Sequence, residues 1–197
     1  MLLLQKPSPQ AQRDFLDRQR GTPFSYQEPG CTSAGVSPPG YVRDHERTDL
    51  GRGANVFAAA SAALRAWKMF DLGWVAVVDP ACPLAAGREV GVLARVGCLW
   101  TLNACRILEV FDEPGRRLGF VYGTLDEHAA EGEERFLVEL DSAGRVWFDL
   151  IAVSRPHRWY VRVGRPVARL LQRRFRRDAA AVMLRAAQLV SQGSQHR

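Results

Sequence analysis

Asp126-Glu127-His128 followed by Glu131, Glu133 and Glu134 gathers one histidine and five carboxylates within nine residues. Histidine titrates near neutrality, so His128 is a candidate general base, with Glu133 or Glu134 orienting its ring. The plainer alternative is a solvated hairpin loop whose glutamates keep a sheet edge from aggregating. These six side chains would also suit a hard cation. They lack a second histidine at helical spacing and the EF-hand order of ligands, so no metal site is expected.

Three further groups carry chemistry. Arg155, within Ser154-Arg155-Pro156, is suited to clamp a carboxylate or phosphate, or equally to pair with a glutamate of the acidic loop and lock a strand end. Trp100, Phe120, Tyr122, Phe136, Trp147 and Phe148 fall in stretches that read as strands. Period-two alternation puts Phe120 and Tyr122 on one face and points Trp147 and Phe148 oppositely. These rings either fill a core or line an apolar cavity with Tyr122 as its polar handle. On the cavity reading Trp100, Phe120, Tyr122, Thr124, Phe148 and Arg155 would contact a ligand.

The third group is basic. Arg162, Arg165, Arg169, Arg173 and Arg176 recur at steps of three, four, four and three, one face of a helix, with Arg158, Arg174 and Arg177 nearby and only Asp178 to balance them. Five phosphate contacts would give a log-log salt slope of about −4 to −5. This stripe is the one feature that favours nucleic acid or an anionic membrane. Other chemistry lacks its residues. Gly51-Arg52-Gly53 precedes a helix, but position 56 is Val and the phosphate-binding glycine pattern fails. There is no G-x-S-x-G, and Cys98 and Cys105 have no histidine beside them in sequence. No cofactor is expected.

Composition sets the frame for these groups. The chain carries 27 basic and 21 acidic residues, a net charge of +6, and is 47% hydrophobic and 24% charged. That is globular composition for one domain of ordinary size. Its most apolar stretch, Phe57 to Val78, is interrupted by Arg65, Lys68 and Asp71, short of the roughly 18 uninterrupted apolar residues of a membrane span. The start of the chain lacks the pattern of a secretory signal. Cys31, Cys82, Cys98 and Cys105 are widely spaced, which fits reduced thiols and a cytoplasmic location.

The elements follow from periodicity and punctuation. Residues 1–23 read as an extension with a short helix near Asp14–Arg18, and 24–41 as a Gly/Pro-rich loop. Tyr41–Asp49 reads as a polar edge strand. Phe57, Ala60, Leu64 and Trp67 predict a helix over Asn55–Phe70, and Trp74–Val78 a short strand. Five strands follow: Glu89–Val96, Leu99–Phe111, Leu118–Thr124, Glu134–Leu140 and Arg145–Val153. Loops this short force antiparallel pairing. A helix from Arg165 to about Ser191 has Val167, Leu171, Phe175, Ala179, Val182, Met183, Ala186 and Val190 as its apolar face, and a polar tail begins at Gln192. The fold expected is α+β: a curved antiparallel sheet of about six strands gripping a long C-terminal helix, with one or two smaller helices and a cavity between sheet and helix. The domain would span 24–191.

Gly119-Phe-Val-Tyr-Gly-Thr-Leu125, His128, Gly132-Glu-Glu-Arg-Phe136, Ser154-Arg-Pro156 and Leu50-Gly-Arg-Gly53 together resemble a bacterial and plant family called domain of unknown function nineteen-ninety. Tyr26…Gly30…Thr32, Pro39-Gly40-Tyr41, Phe57…Trp67 and Arg106 extend the likeness over about 24–183. Asp126-Glu127 departs from it, standing where a Pro-Gly turn is usual. The resemblance implies a START-like helix-grip fold, whose members bind apolar ligands or occasionally act as cyclases or hydrolases. The expected function is binding of a small apolar or amphipathic molecule, its polar end meeting Tyr122, Thr124, His128 and Arg155. A hydrolase or cyclase using His128 with Glu133 or Glu134 is the first alternative, and a basic module for nucleic acid or membrane the second.

Overall fold

A computed structural model describes residues 1–193, with the backbone alone for Tyr160, Arg162 and 190–193. The expected tail beyond 193 and the Arg162 side chain lie outside the described residues. In chain order the elements are β1 (Leu2–Leu3), α1 (Pro9–Gln19), β2 (Val42–Arg52), α2 (Ala54–Arg65), a 3-10 turn (Lys68–Phe70) and β3 (Val75–Val77). They continue as β4 (Glu89–Val96), β5 (Leu99–Glu113), β6 (Arg117–Thr124), β7 (Ala130–Leu140), β8 (Arg145–Pro156), α3 (Trp159–Val163) and α4 (Arg165–Gly193).

All strand pairs are antiparallel, in the order β2-β8-β7-β6-β5-β4-β3. The sheet has seven main strands rather than about six, because the polar segment before α2 and the short Val75–Val77 strand each supply an edge. Register shifts between Asp49 and Gly51 and between Ile107 and Glu109 add one residue to β2 and one to β5, which bends the sheet. The result is a curled half-barrel.

Its concave face presents Ile107, Leu118, Phe120, Tyr122, Phe136, Val138, Phe148 and Leu150 to α2 and α4. Small residues meet where the two helices cross: Ala60 and Ala63 on α2, Ala179, Ala180 and Ala187 on α4, all buried. The centre of the grip is filled by rings. Trp67 lies 4.9 Å from Phe120, Phe120 stacks 5.1 Å from Phe136, and Phe70 is 5.3 Å from both Phe136 and Phe175. Such pairs add to ordinary area burial.

Two sequence expectations change here. The helix predicted to Phe70 stops at Arg65, because Trp67 adopts a left-handed backbone (φ 55°). That conformation costs about 1 kcal/mol. It turns the indole into the core, where its N–H donates to Cys82 O at 2.8 Å and the side chain is buried. Burying an indole outweighs the strain.

Residues 1–23, expected as an extension, are stitched to the convex face. β1 pairs with β5, and α1, capped by the Ser8 hydroxyl, buries Phe15 against Leu93, Leu102, Ala104 and Leu125. Arg106 fastens its far end, donating to Thr22 O (2.8 Å) and Gln19 O (3.2 Å) while pairing with Glu89. A guanidinium over C-terminal carbonyls is favourable in charge and hydrogen bonding.

Candidate functional site

Adjacent residues on a strand face opposite sides of the sheet. Glu133 and Glu134 therefore part company. Glu133, on the convex side, is 1% exposed and accepts from the Tyr26 hydroxyl (2.9 Å), the Thr32 N–H (2.9 Å), the Thr32 hydroxyl (2.6 Å) and the Gly30 N–H. These bonds hold the 24–41 loop against the sheet. Gly123 lies opposite Glu133 in the register, and a side chain there would overlap the Tyr26 hydroxyl.

Glu134 faces the concave side, where the Tyr122 hydroxyl donates to it at 2.5 Å. Burial raises the Glu134 carboxyl above the usual range, partly offset by Tyr122 and Arg176. Arg176, buried, also reaches Asp44 of β2 (3.3 Å), which Arg169 holds with two bonds of 2.6 and 2.9 Å. This polar seam ties α4 to the sheet.

His128 meets neither glutamate. Its Nδ1 is engaged by the Ala130 backbone, lying 3.0 Å from N and 2.8 Å from O. Burial lowers its pKa to about 4 from 6.5. Between those values the unfolded chain takes up a proton that the folded chain does not, so stability is full above pH ~6.5 and declines as pH falls toward 4. The loss is expected to reach about 2–3 kcal/mol. His128→Asn keeps an acceptor for the Ala130 N–H and should flatten this part of the profile, measured by urea unfolding across that window; an unchanged slope would contradict it.

The other expected ligand residues are likewise placed by packing. Phe120 and Phe148 are in the solid core, with Tyr122 beside them against Glu134. Thr124 Oγ1 is shared with the Ser25 hydroxyl (2.6 Å) and the Gly132 N–H (2.9 Å). Trp100 packs on the convex face, under the Lys6 ammonium. Of the expected set, Arg155 borders a cavity.

That cavity is a cleft of about 530 Å³ at one end of the grip, between β2, the ends of β7 and β8, and the first turns of α3–α4. Val42, Ala130, Pro156, Val161 and Ala168 supply apolar wall; Ser154, His157, Arg165, Arg169 and Gln172 supply polar groups. Arg155 stacks over Tyr41 at 4.8 Å and is paired with Glu131, opposite it in the β7–β8 register. The His157 ring stands 2.8 Å from Glu131 through Nδ1 and 3.4 Å from Asp126 through Nε2. The arginine stripe divides. Arg169 and Arg176 turn inward to Asp44, Arg165 borders the cleft, and Arg173 is exposed. Among the described residues Arg165 has no carboxylate partner, so it is the cleft cation left for a guest.

Asp44, His157 and Gln172 were not singled out in the sequence. The Asp141–Gly144 turn offered a signal for part of this: with Asp141 paired to Arg145 across the turn, counting ten residues back along each strand sets Glu131 against Arg155, two residues before His157.

The fold and its end cleft define a helix-grip protein. An aromatase/cyclase from a Streptomyces species shares that fold with a TM-score of 0.50, at 12% identity, over 75% of this chain and 94% of the other. The chain belongs to the domain of unknown function family DUF1990, whose profile matches residues 25–182. Its relatives include a UPF0548 protein of Deinococcus radiodurans, 37% identical over 95% of this chain and 99% of its own length. Another, of Dictyostelium discoideum, is 32% identical over 94% and 95%. The family thus spans bacteria and eukaryotes. Among the described residues no helix is long and apolar enough to cross a membrane.

Proposed function

We propose that this protein binds a small amphipathic molecule in the end cleft. Its apolar body would lie against Val42, Ala130, Pro156, Val161 and Ala168, and its acidic head would meet Arg165, with Gln172 and Ser154 as neutral partners. One observation carries the reading: a cleft of about 530 Å³, within the range of small-molecule sites, has mixed walls and one arginine, Arg165, with no carboxylate partner among the described residues. The aromatic core supports the location by elimination, since its rings are already packed on one another.

The test uses 8-anilinonaphthalene-1-sulfonate, an apolar double ring with one acidic group, and the full chain. Saturable one-site fluorescence enhancement is expected, abolished by Ala168→Trp, which fills the cleft. Arg165→Glu should weaken it about tenfold or more, as expected for loss of a charge-assisted contact. Binding by Ala168→Trp equal to that of the parent would sink the proposal.

A further inference from the structure

Among the described residues, half of the eight large hydrophobic side chains that are well exposed fall within twelve residues: Trp159 (74% exposed), Val163 (79%), Val167 (56%) and Leu170 (67%). They recur at steps of four, four and three, so they form one stripe along α3 and the first turns of α4. The opposite side of the same segment, Val161, Ala168, Arg169 and Gln172, faces the cleft. The stripe is therefore the outer wall of the cleft.

Charge tells what covers it. From Arg158 to Arg177 there are eight arginines and no acidic residue. Arg169 and Arg176 are held by Asp44, and Arg158 by Asp126. Beyond Leu170 the outward face continues as Arg173, Arg174 and Arg177, all exposed, with Asp178 in contact with Arg174 and Arg177. Arg173 has no carboxylate partner among the described residues. An apolar stripe that runs into a basic one is the pattern of a helix lying in a lipid interface, its hydrocarbon side chains below the headgroups and its cations among them. A second copy docked on the same face would oppose arginines to arginines. Nucleic acid would leave Val163, Val167 and Leu170 without a function.

We propose that the outer face of α3 and the start of α4 docks on an anionic lipid surface, placing the cleft mouth at the bilayer. The surface stands on its own residues whether or not the cleft takes a guest. It is tested by co-sedimentation of the full chain with phosphatidylcholine vesicles, with and without phosphatidylserine. Binding is expected to need phosphatidylserine and to weaken as salt is raised. Arg173→Gln/Arg177→Gln should lower it by about fivefold per charge. Val163→Asp/Leu170→Asp should lower it at least about tenfold with an unchanged thermal midpoint, because both side chains are already in water in the free protein. Trp159 fluorescence should shift to the blue on binding, a change missing in Trp159→Phe.

Three outcomes would overturn the proposal. One is no association with phosphatidylserine vesicles; another is undiminished association by the Val163→Asp/Leu170→Asp variant. The third is a dimer in light scattering that this variant dissolves. Retention on duplex DNA or RNA without vesicle binding would assign the stripe to nucleic acid instead.

Discussion

Glu133→Ala is expected to cost about 3–5 kcal/mol of stability, the range for removing one partner of a buried charged network. Four donors lose their acceptor at once: the Tyr26 and Thr32 hydroxyls and the Gly30 and Thr32 N–H groups. Each buried orphan carries a desolvation penalty of its own. The loop should lift before the sheet melts, and Cys31 reports on that. Its thiol is buried beneath the loop, with a pKa pushed up to about 12 by burial and then by Glu133, so it is unreactive in the folded protein. Urea unfolding should give the energy, and a thiol reagent should modify Cys31 faster in the variant. Glu133→Gln keeps one acceptor but sets an amide donor against the others, so an intermediate loss is expected. A change below about 1 kcal/mol would mean that the loop is held by apolar packing alone.

Asp44→Ala is the second large effect, expected at about 3–4 kcal/mol. The aspartate accepts both arms of Arg169 and one of Arg176, and among the described residues it is the carboxylate β2 offers to α4 in this seam. Without it Arg176 stays buried, with Glu134 as its remaining countercharge. A double-mutant cycle of Asp44→Ala with Arg169→Ala isolates the pair; a coupling of about 1.5 kcal/mol or more is expected, and simple additivity would dismiss the latch. The first turns of α4 border the cleft, so the same substitution should weaken naphthalene-sulfonate binding without touching the proposed contacts at Arg165.

The contrast between these residues and the expected ones shows what sequence reading reaches. Strand identity followed from period-two runs and from the Asp112–Gly115 and Asp141–Gly144 turns, and Glu89–Val96 matches to the residue. The long helix followed from its own apolar repeat. Features that depend on which distant groups meet were not legible. Trp67 breaks its helix because Cys82 O and Phe120 await it, and neither partner is near in sequence. The N-terminal segment read as an extension because its stabilising contacts, Phe15 on Leu102 and Arg106 on its last carbonyls, come from strands some eighty to ninety residues away.

The site was legible in composition and not in placement. The acidic loop, Arg155 and the arginine stripe were all visible, yet strand alternation divides Glu133 from Glu134 and helix rotation divides Arg169 from Arg173. Val167 was expected in the apolar face of α4. It points outward because Asp44 fixes the helix about its axis, bringing Arg169 and Arg176 inward instead.

That latch has a mechanical corollary. Beyond Arg176 the helix adheres chiefly through alanines and Met183, apolar contacts that tolerate small slides, with one hydrogen bond from the Trp74 indole N–H to Asp178 at 3.0 Å. Before it, attachment is by forked ionic bonds that are either made or broken. The rod thus resembles a lever with a soft clamp at one end and a snap fastener at the other, and the fulcrum falls near Phe175. Release of the fastener would widen the cavity mouth while leaving the ring-packed centre undisturbed.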